Sequence, residues 1–228
     1  MVARLSVTKV SSDDLYLDKL PRATGRAFVY LAELPLLKNT SWYLAGGTAL
    51  ALQVGHRKSV DLDFFIPDAE FNKTSLERSL VATKQWETTY QENGTLYGKL
   101  QGAKASFIAY PFFNPSPARI ACGNIRILVP EDIAAMKIIA VSQRGRKRDF
   151  VDLYWYANNR EPLIAVVKRA LKQYPGKDHN LPHLVKSLGY FDDAEADPMP
   201  ELYFSASWKS IKTFFRKEVR SLAEQLLV

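Results

Sequence analysis

The clearest pattern of hydrophobic and polar positions lies between residues 42 and 66. The apolar run Trp42 to Ala45 predicts a buried strand, and the alternation of acidic and apolar residues from Val60 to Ile66 predicts a second one. Between them, Thr48 to Val54 is short, apolar and free of proline, which predicts a helix. The expected order is strand, Gly-Gly turn, short helix, strand.

The flanking residues up to 129 predict a small mixed sheet with helices around it. Residues 1–19 are a polar lead-in, 111–117 a loop rich in proline and aromatic residues, and Asn93-Gly94 is a hairpin signal. The further predicted elements are helices over Pro21 to Leu34 and over Ala69 to Leu80 (capped by Asp68), and strands over 84–91, 95–102, Ala105 to Tyr110 and Asn124 to Val129.

After residue 129 the pattern predicts helices alone, joined in part by an acidic linker at 190–200. The expected helices are Pro130 to about Gln143, Asp149 to Asn158, and segments near 162–173, 181–188 and 207–226. We therefore expect an α/β core over residues 1–129, followed by a helical C-terminal region over residues 130–228.

Composition narrows the class of protein. Of the 228 residues 47% are hydrophobic, which fits a globular chain. The net charge of +7 favours a polyanionic partner such as RNA, but the excess is spread along the chain and marks no binding domain. The single cysteine, Cys122, suits a reducing cytoplasm. With no signal-like apolar core at the N-terminus and no apolar run of membrane length, neither a signal peptide nor a membrane partner is expected.

The segment 46–63 joins two features that suit phosphate chemistry. Gly46 and Gly47 allow a ligand to approach the backbone, and the following helix offers free N–H groups to a phosphate. Asp61 and Asp63, two apart on a strand, share one face at roughly 6.5 Å. Mg²⁺ is usually held by one or two carboxylates plus substrate phosphates, so we predict Mg²⁺ (or Mn²⁺) at Asp61 and Asp63 and phosphoryl or nucleotidyl transfer.

Two polar residues beside these motifs, Thr48 and Arg57, have two possible roles each. The hydroxyl of Thr48 either contacts a phosphate or caps the helix, and both are about equally expected. Arg57 pairs with a phosphate or with a surface acid, and its place just before the aspartates favours the phosphate. Ser59 stands beside it in the same short segment.

The spacing of Gly-Gly and Asp-x-Asp, with thirteen residues between Gly47 and Asp61, resembles the DNA polymerase β-like nucleotidyltransferase superfamily. The longer string AGGTALALQVGHRKSVDLDFF resembles its AbiEii/AbiGii toxin branch. A second block, LVPEDIAAMKIIAVSQRGRKRDFVDLYW, is similar to that family's helical motif. The matching residues are Lys137, Arg144, Asp149 and Asp152. The resemblance covers about residues 25–160 and implies a polymerase β-like core. It also implies a nucleotide-binding role for Ser59.

The second block adds charged candidates. Lys137 and Arg144 lie about two helical turns apart, roughly 10.5 Å, on one face and suit a triphosphate. Asp149 and Asp152 also share a face. Three roles stay open for them: orienting Lys137 or Arg144, completing the metal site, or capping the helix. Asp152 stands among apolar residues, so partial burial and a charged partner are expected.

Two further positions bear on the predicted metal chemistry. The superfamily usually supplies a third carboxylate from a later strand, but Ser106 occupies its place here. This departure implies one metal fewer, a carboxylate from elsewhere such as Asp149 or Asp152, or no activity. His179 and His183 are separated by Pro182 and lack further ligands at zinc spacing, so no zinc site is expected.

The leading hypothesis is a cytoplasmic nucleotidyltransferase that uses an NTP and an acceptor hydroxyl. The resemblance implies a toxin of a toxin–antitoxin or phage-defence system, RNA (possibly the tRNA 3′ end) as acceptor, and an antitoxin from a neighbouring gene. The alternatives are a catalytically silent nucleotide- or RNA-binding module, motivated by Ser106, and a nucleotidyltransferase that modifies protein.

Overall fold

The computed structural model of the protein describes residues 6–176 and 180–227, and the chain forms two compact units that divide between Val129 and Pro130. Within the described part of the first unit the strands form one eight-stranded sheet, in the order β1-β7-β8-β2-β3-β6-β5-β4. The strands are β1 Ser6–Val10, β2 Tyr43–Ala45, β3 Leu62–Ile66, β4 Trp86–Glu92, β5 Thr95–Leu100, β6 Ala103–Ala109, β7 Ala118–Cys122 and β8 Ile125–Leu128.

The sheet is mixed, which confirms the predicted fold class. Strand β3 pairs antiparallel with β2 and parallel with β6, and β6, β5 and β4 form an antiparallel meander. The sheet is larger than expected because β1 and β7 were not predicted. They pair in parallel, and β1 carries the exposed, polar sequence SVTKV, whose apolar content is too low for a strand signal.

Three α-helices accompany this sheet: α1 Arg22–Glu33, α2 Gly46–Val54 and α3 Lys73–Ala82. Two predicted boundaries are wrong. Helix α2 begins at Gly46 and not at Thr48, and α3 is capped by Asn72 and not by Asp68. The Asn72 side chain accepts a hydrogen bond of 2.9 Å from the backbone N–H of Ser75, so the cap that starts α3 is at Asn72.

The core of the first unit is built on Phe107 of β6. Its ring stacks on Phe64 with 5.0 Å between centroids and meets Trp42 edge-on at 5.3 Å. Along β3 the apolar residues Leu62 and Phe64 are fully buried, whereas Asp63 between them is only partly buried. The alternation fixes the register of β3, because a slip of one residue would bury the carboxylate.

The described part of the second unit is helical: α4 Pro130–Arg144, α5 Lys147–Asn159, α6 Leu163–Gln173, α7 Leu181–Ser187, α8 Asp192–Glu195 and α9 Trp208–Leu226. Phe150 of α5 packs against Phe191, Trp208 and Phe215. Helix α8 interrupts the predicted acidic linker. None of the helices in the described residues has the length and apolar character needed to span a membrane.

Candidate functional site

The start of α2 lies against the carboxylate of Asp63. Ala45, the last residue of β2, pairs with Asp63 of β3, and the chain turns at Gly46 with a φ of +75°. A Cβ atom at Gly46 would lie 3.1 Å from Asp63 Oδ2. Glycine is therefore favoured here both by its backbone conformation and by the close carboxylate, and the N-terminal end of α2 adjoins Asp63.

Arg57 lies against the next glycine. A Cβ atom at Gly47 would collide with Nη2 of Arg57 and would lie 3.2 Å from the Ser59 hydroxyl oxygen. The Arg57 side chain is buried, and its Nη1 donates a hydrogen bond of 2.9 Å to the Lys58 carbonyl. A guanidinium held at the positive end of a helix dipole suits an anionic ligand.

A buried hydrogen bond connects α2 to the segment that precedes the aspartates. The Thr48 hydroxyl donates to the Ser59 hydroxyl oxygen at 2.9 Å, and both residues are buried. The capping role considered for Thr48 is wrong, because the N-cap residue of α2 is Ala45. The hydrogen bond between Thr48 and Ser59 instead holds the segment before Asp61 against α2.

Asp61 and Asp63 line one cleft of about 480 Å³ in the first unit. Strands β3 and β6 place Ser106 beside Asp63 in parallel register, and the Ser106 hydroxyl donates to Asp63 Oδ1 at 2.7 Å. The strand on which the superfamily usually carries a third carboxylate thus presents a buried serine next to the second aspartate, at the position that the sequence indicated.

The cleft fits a divalent cation that takes two protein ligands. Two carboxylates that face one cleft are the oxygen ligands that Mg²⁺ and Mn²⁺ accept, and phosphates and water complete the coordination in such sites. Among the described residues there is no group of three His, Cys, Asp or Glu side chains that could hold a metal. His179 lies outside the described residues, and the His183 ring contacts the Ser142 carbonyl oxygen at 3.2 Å.

In the second unit Lys137 joins Asp149 and Asp152. Its Nζ lies 2.5 Å from Asp149 Oδ1 and 2.7 Å from Asp152 Oδ2, and all three side chains are buried. Arg144 is 58% exposed, and its Nε lies 3.7 Å from Asp149 Oδ2. Asp149 does not cap α5, since Arg146 is the N-cap residue. Of the three roles left open for the aspartates, the observed contacts support the orientation of Lys137.

The cleft also contains residues that the sequence pattern did not single out. Tyr90, Tyr97, Lys99 and Lys104 line it together with the two aspartates. Alternation along β5 places Tyr97 and Lys99 on one face and was visible in the sequence. A register shift between Thr88 and Tyr90 determines the face of the sheet on which Tyr90 lies. No local residue pattern predicted this shift.

The model of one protein family, described as "Nucleotidyl transferase AbiEii toxin, Type IV TA system", matches residues 31–107 and 113–225. An uncharacterized protein of Aquifex aeolicus (strain VF5) is 35% identical over 187 residues, which covers 80% of this chain and 88% of that protein.

Two solved structures are similar. A candidate nucleotidyltransferase from H. pylori has a TM-score of 0.52 at 18% identity, over 90% of this chain and 96% of its own. MenT4, a nucleotidyltransferase toxin from Mycobacterium tuberculosis H37Rv, has a TM-score of 0.51 at 17% identity, over 90% of this chain and 86% of its own. At these identities the likeness concerns the fold.

Proposed function

Because the chain belongs to the AbiEii nucleotidyltransferase toxin family and is therefore a nucleotidyltransferase, we propose that it transfers a nucleotide from an NTP to an acceptor hydroxyl in the cleft beside Asp61 and Asp63. The observation that carries this proposal is the contact between the start of α2 and Asp63. This contact brings a helix N-terminus, which suits a phosphate, next to a carboxylate within one unit.

In the proposed reaction, the N–H groups at the start of α2 and the Arg57 guanidinium bind the phosphates of the NTP. The acceptor oxygen attacks the α-phosphorus and forms a new P–O bond. The bond to the pyrophosphate oxygen breaks, its electron pair leaves with pyrophosphate, and the hydroxyl proton passes to solvent.

Asp61 and Asp63 would hold Mg²⁺ or Mn²⁺. When bound, such an ion offsets the negative charge of the phosphates and favours the deprotonated acceptor oxygen. Ser106 would keep Asp63 in one orientation through its hydrogen bond to Oδ1.

The second unit enters the proposal through the family's helical motif. The roles of Lys137 and Arg144 as cations for the triphosphate stay a prediction that rests on that motif. Asp149 and Asp152 would act as positioning residues, since both contact the Lys137 ammonium. Exchanging Lys137 for arginine would keep the charge but lose this geometry, which is fitted to an ammonium.

The acceptor and the biological role are further parts of the proposal. RNA, with the tRNA 3′ end as the specific case, is supported by the net charge of +7 and by the family. We also propose a toxin role with an antitoxin from a neighbouring gene, and a cytoplasmic location where NTPs and RNA occur; the family membership supports them. Induced expression should arrest bacterial growth with the wild type and not with Asp63→Asn.

The test is a transfer assay with total cellular RNA, cell lysate, Mg²⁺ and each labelled NTP in turn. The wild type should label RNA, and nuclease but not protease should remove the label. The double variant Asp61→Asn, Asp63→Asn should label nothing, whereas Asp68→Asn, an exposed aspartate of the same unit, should match the wild type.

Label that protease removes would assign a protein acceptor instead. Absence of product from folded wild-type protein with all four NTPs, despite NTP binding, would favour the silent binding module and contradict the proposed transfer.

A further inference from the structure

A row of four side chains crosses the sheet from the candidate metal site outward. Asp63 of β3 pairs with Ser106 of β6, Ser106 pairs with Tyr97 of β5, and Tyr97 pairs with Tyr90 of β4. Directly paired residues on neighbouring strands lie on one face of a sheet. The rings of Tyr90 and Tyr97 confirm this arrangement, since their centroids are 6.0 Å apart.

A β-bulge at Thr89 places Tyr90 in this row. Thr88 pairs with Gly98, and the next pair is Tyr90 with Tyr97, so Thr89 is the extra residue. Without the bulge, Tyr90 would follow Thr88 to the opposite face, because side chains alternate along a strand. Bulges often redirect a side chain next to a functional site.

The opposite face of the β4–β5 hairpin is packed. The Thr88 hydroxyl and the Gln91 side-chain amide both donate to Glu77 Oε1 of α3, at 2.7 and 2.6 Å. Leu96 and Leu100 of β5 are fully buried. The hairpin therefore has one face that builds the core and one that carries Tyr90, which is 56% exposed.

Two lysines lie beside the tyrosines on the cleft face. Lys99 of β5 pairs directly with Lys104 of β6, both are exposed, and both line the cleft with Asp61 and Asp63. Like charges placed directly opposite on neighbouring strands repel each other. Glu87 of β4 pairs with Lys99 on the strand opposite to that of Lys104, and its negative charge offsets part of this repulsion. A polyanion over the pair would relieve it further.

The two sides of Asp63 face different partners. Its Oδ2 adjoins Gly46 at the start of α2, where the NTP phosphates are proposed to bind, and its Oδ1 accepts from Ser106, where the tyrosine row begins. Neighbouring strands are about 4.8 Å apart, so Tyr97 and Tyr90 lie roughly 10 and 14 Å from Asp63 along the row. These distances suit the last two nucleotides of an RNA chain whose terminal hydroxyl lies at Asp63.

Resting on the proposed function, we propose that Tyr90, Tyr97, Lys99 and Lys104 form the binding platform for the single-stranded 3′ end of an RNA acceptor. The tyrosine rings stack on bases, and the lysines contact the phosphate backbone. Aromatic side chains beside a positively charged groove are the usual means of holding single-stranded nucleic acid.

The platform is tested by binding, separately from catalysis. A short single-stranded RNA with a 5′ fluorophore and a free 3′ hydroxyl is titrated with protein, and anisotropy is read at several salt concentrations. A non-hydrolysable NTP is titrated in parallel by calorimetry. The variants are Tyr90→Ala, Tyr90→Phe and Lys104→Glu. The matched controls are Phe112→Ala, an aromatic residue 53% exposed, and Lys38→Glu, an exposed lysine of the same unit.

Tyr90→Ala should weaken RNA binding roughly 5- to 150-fold, the range for losing one stacked base, and Tyr90→Phe should restore it. Lys104→Glu should weaken RNA binding and lower the slope of log K against log salt by about 0.7 or more. NTP affinity and melting temperature should stay at the wild-type values, and the controls should match the wild type in every readout.

Unchanged RNA affinity in both Tyr90→Ala and Lys104→Glu would overturn the platform, as would wild-type protein that binds no RNA. Loss of NTP affinity in place of RNA affinity would assign the cleft to the base of the nucleotide. Transfer of label to protein alone would overturn the RNA assignment. Intact RNA binding without any transfer would instead contradict the proposed function and leave the platform standing.

Discussion

Each unit holds a pair of aspartates, but the two pairs lie in opposite surroundings. Asp61 and Asp63 of the first unit line a cleft of about 480 Å³. Asp149 and Asp152 of the second unit have fully buried side chains, and both contact the ammonium of Lys137. One pair faces the solvent from which a cation or a phosphate can enter, and the other is enclosed with a cation of the chain itself.

The difference shows why an aspartate pair in a sequence does not identify a metal site. A carboxylate that is removed from water needs a partner, and in α4 and α5 that partner is the lysine of the same motif. At β3 the partly buried Asp63 accepts a hydrogen bond from the neutral Ser106 hydroxyl, and it lines a cleft that a cation can enter. The comparison supports the proposal that the first pair binds a ligand and that the second orients Lys137.

The largest effect is expected from Lys137→Met. It leaves two buried carboxylates without their cation, which should lower the free energy of unfolding by about 3–5 kcal/mol. Urea denaturation measures it. Lys168→Met, at an exposed position of α6, serves as the control and should change stability little. A loss below about 1 kcal/mol in Lys137→Met would mean that the cluster is hydrated, and the contrast between the two pairs would fail.

Gly47→Ala should sharpen the contrast by testing the proposed phosphate site of the first unit. The added methyl group collides with the Arg57 guanidinium, which must leave the start of α2. We expect NTP affinity to fall about 10- to 100-fold, the worth of a charge-assisted contact, with calorimetry as the measurement. Gly176→Ala is the matched control, because nothing lies within 4 Å of a Cβ atom there. Wild-type affinity in Gly47→Ala would remove Arg57 from the phosphate site.

Ser106→Ala should have a smaller effect, confined to the first pair of aspartates. Without the hydroxyl, Asp63 loses the hydrogen bond that orients it, and affinity for Mn²⁺ in the presence of NTP should fall about tenfold. Electron paramagnetic resonance of free Mn²⁺ measures this. Ser106→Asp should bind Mn²⁺ at least as tightly as the wild type, since a third carboxylate is then available. Tighter Mn²⁺ binding by Ser106→Ala than by the wild type would show that the serine hinders metal binding.

The smallest effect concerns an ion pair near the surface of the second unit. Two hydrogen bonds from Arg146 to Asp197 are the main reason that the pKa of Asp197 lies below its ordinary value. The unfolded state then binds the proton more tightly, so the stabilisation is present above the unfolded pKa of about 4 and is lost as pH falls through the folded pKa.

Because Arg146 is half exposed, Asp197→Asn should cost under about 1 kcal/mol at neutral pH and nothing in strong acid. Urea denaturation between pH 7 and pH 2 measures the difference from the wild type. A difference that stayed constant over this range would mean that the charge of Asp197 does not contribute.

Much of this contrast between the two aspartate pairs could not be predicted from the sequence. The alternation around Asp63 predicted β3 and its buried apolar face, because that pattern is local. The partners of Asp149 and Asp152 depend on how two helices pack, so the orientation of Lys137 was only one of three roles that the sequence left open for them. Strand β1 depends on pairing with the distant strand β7, and the bulge at Thr89 depends on the register of the β4–β5 hairpin; local periodicity contains neither.

The most direct measurement of the central claim is Mn²⁺ binding in the presence of a non-hydrolysable NTP, by electron paramagnetic resonance, for the wild type, Asp63→Asn, Asp152→Asn and the exposed control Asp68→Asn. Circular dichroism verifies folding. We predict that Asp63→Asn loses Mn²⁺ binding, whereas Asp152→Asn and Asp68→Asn keep it. Wild-type binding in Asp63→Asn, or its loss in a folded Asp152→Asn, would contradict the assignment of the metal to the aspartates of the first unit.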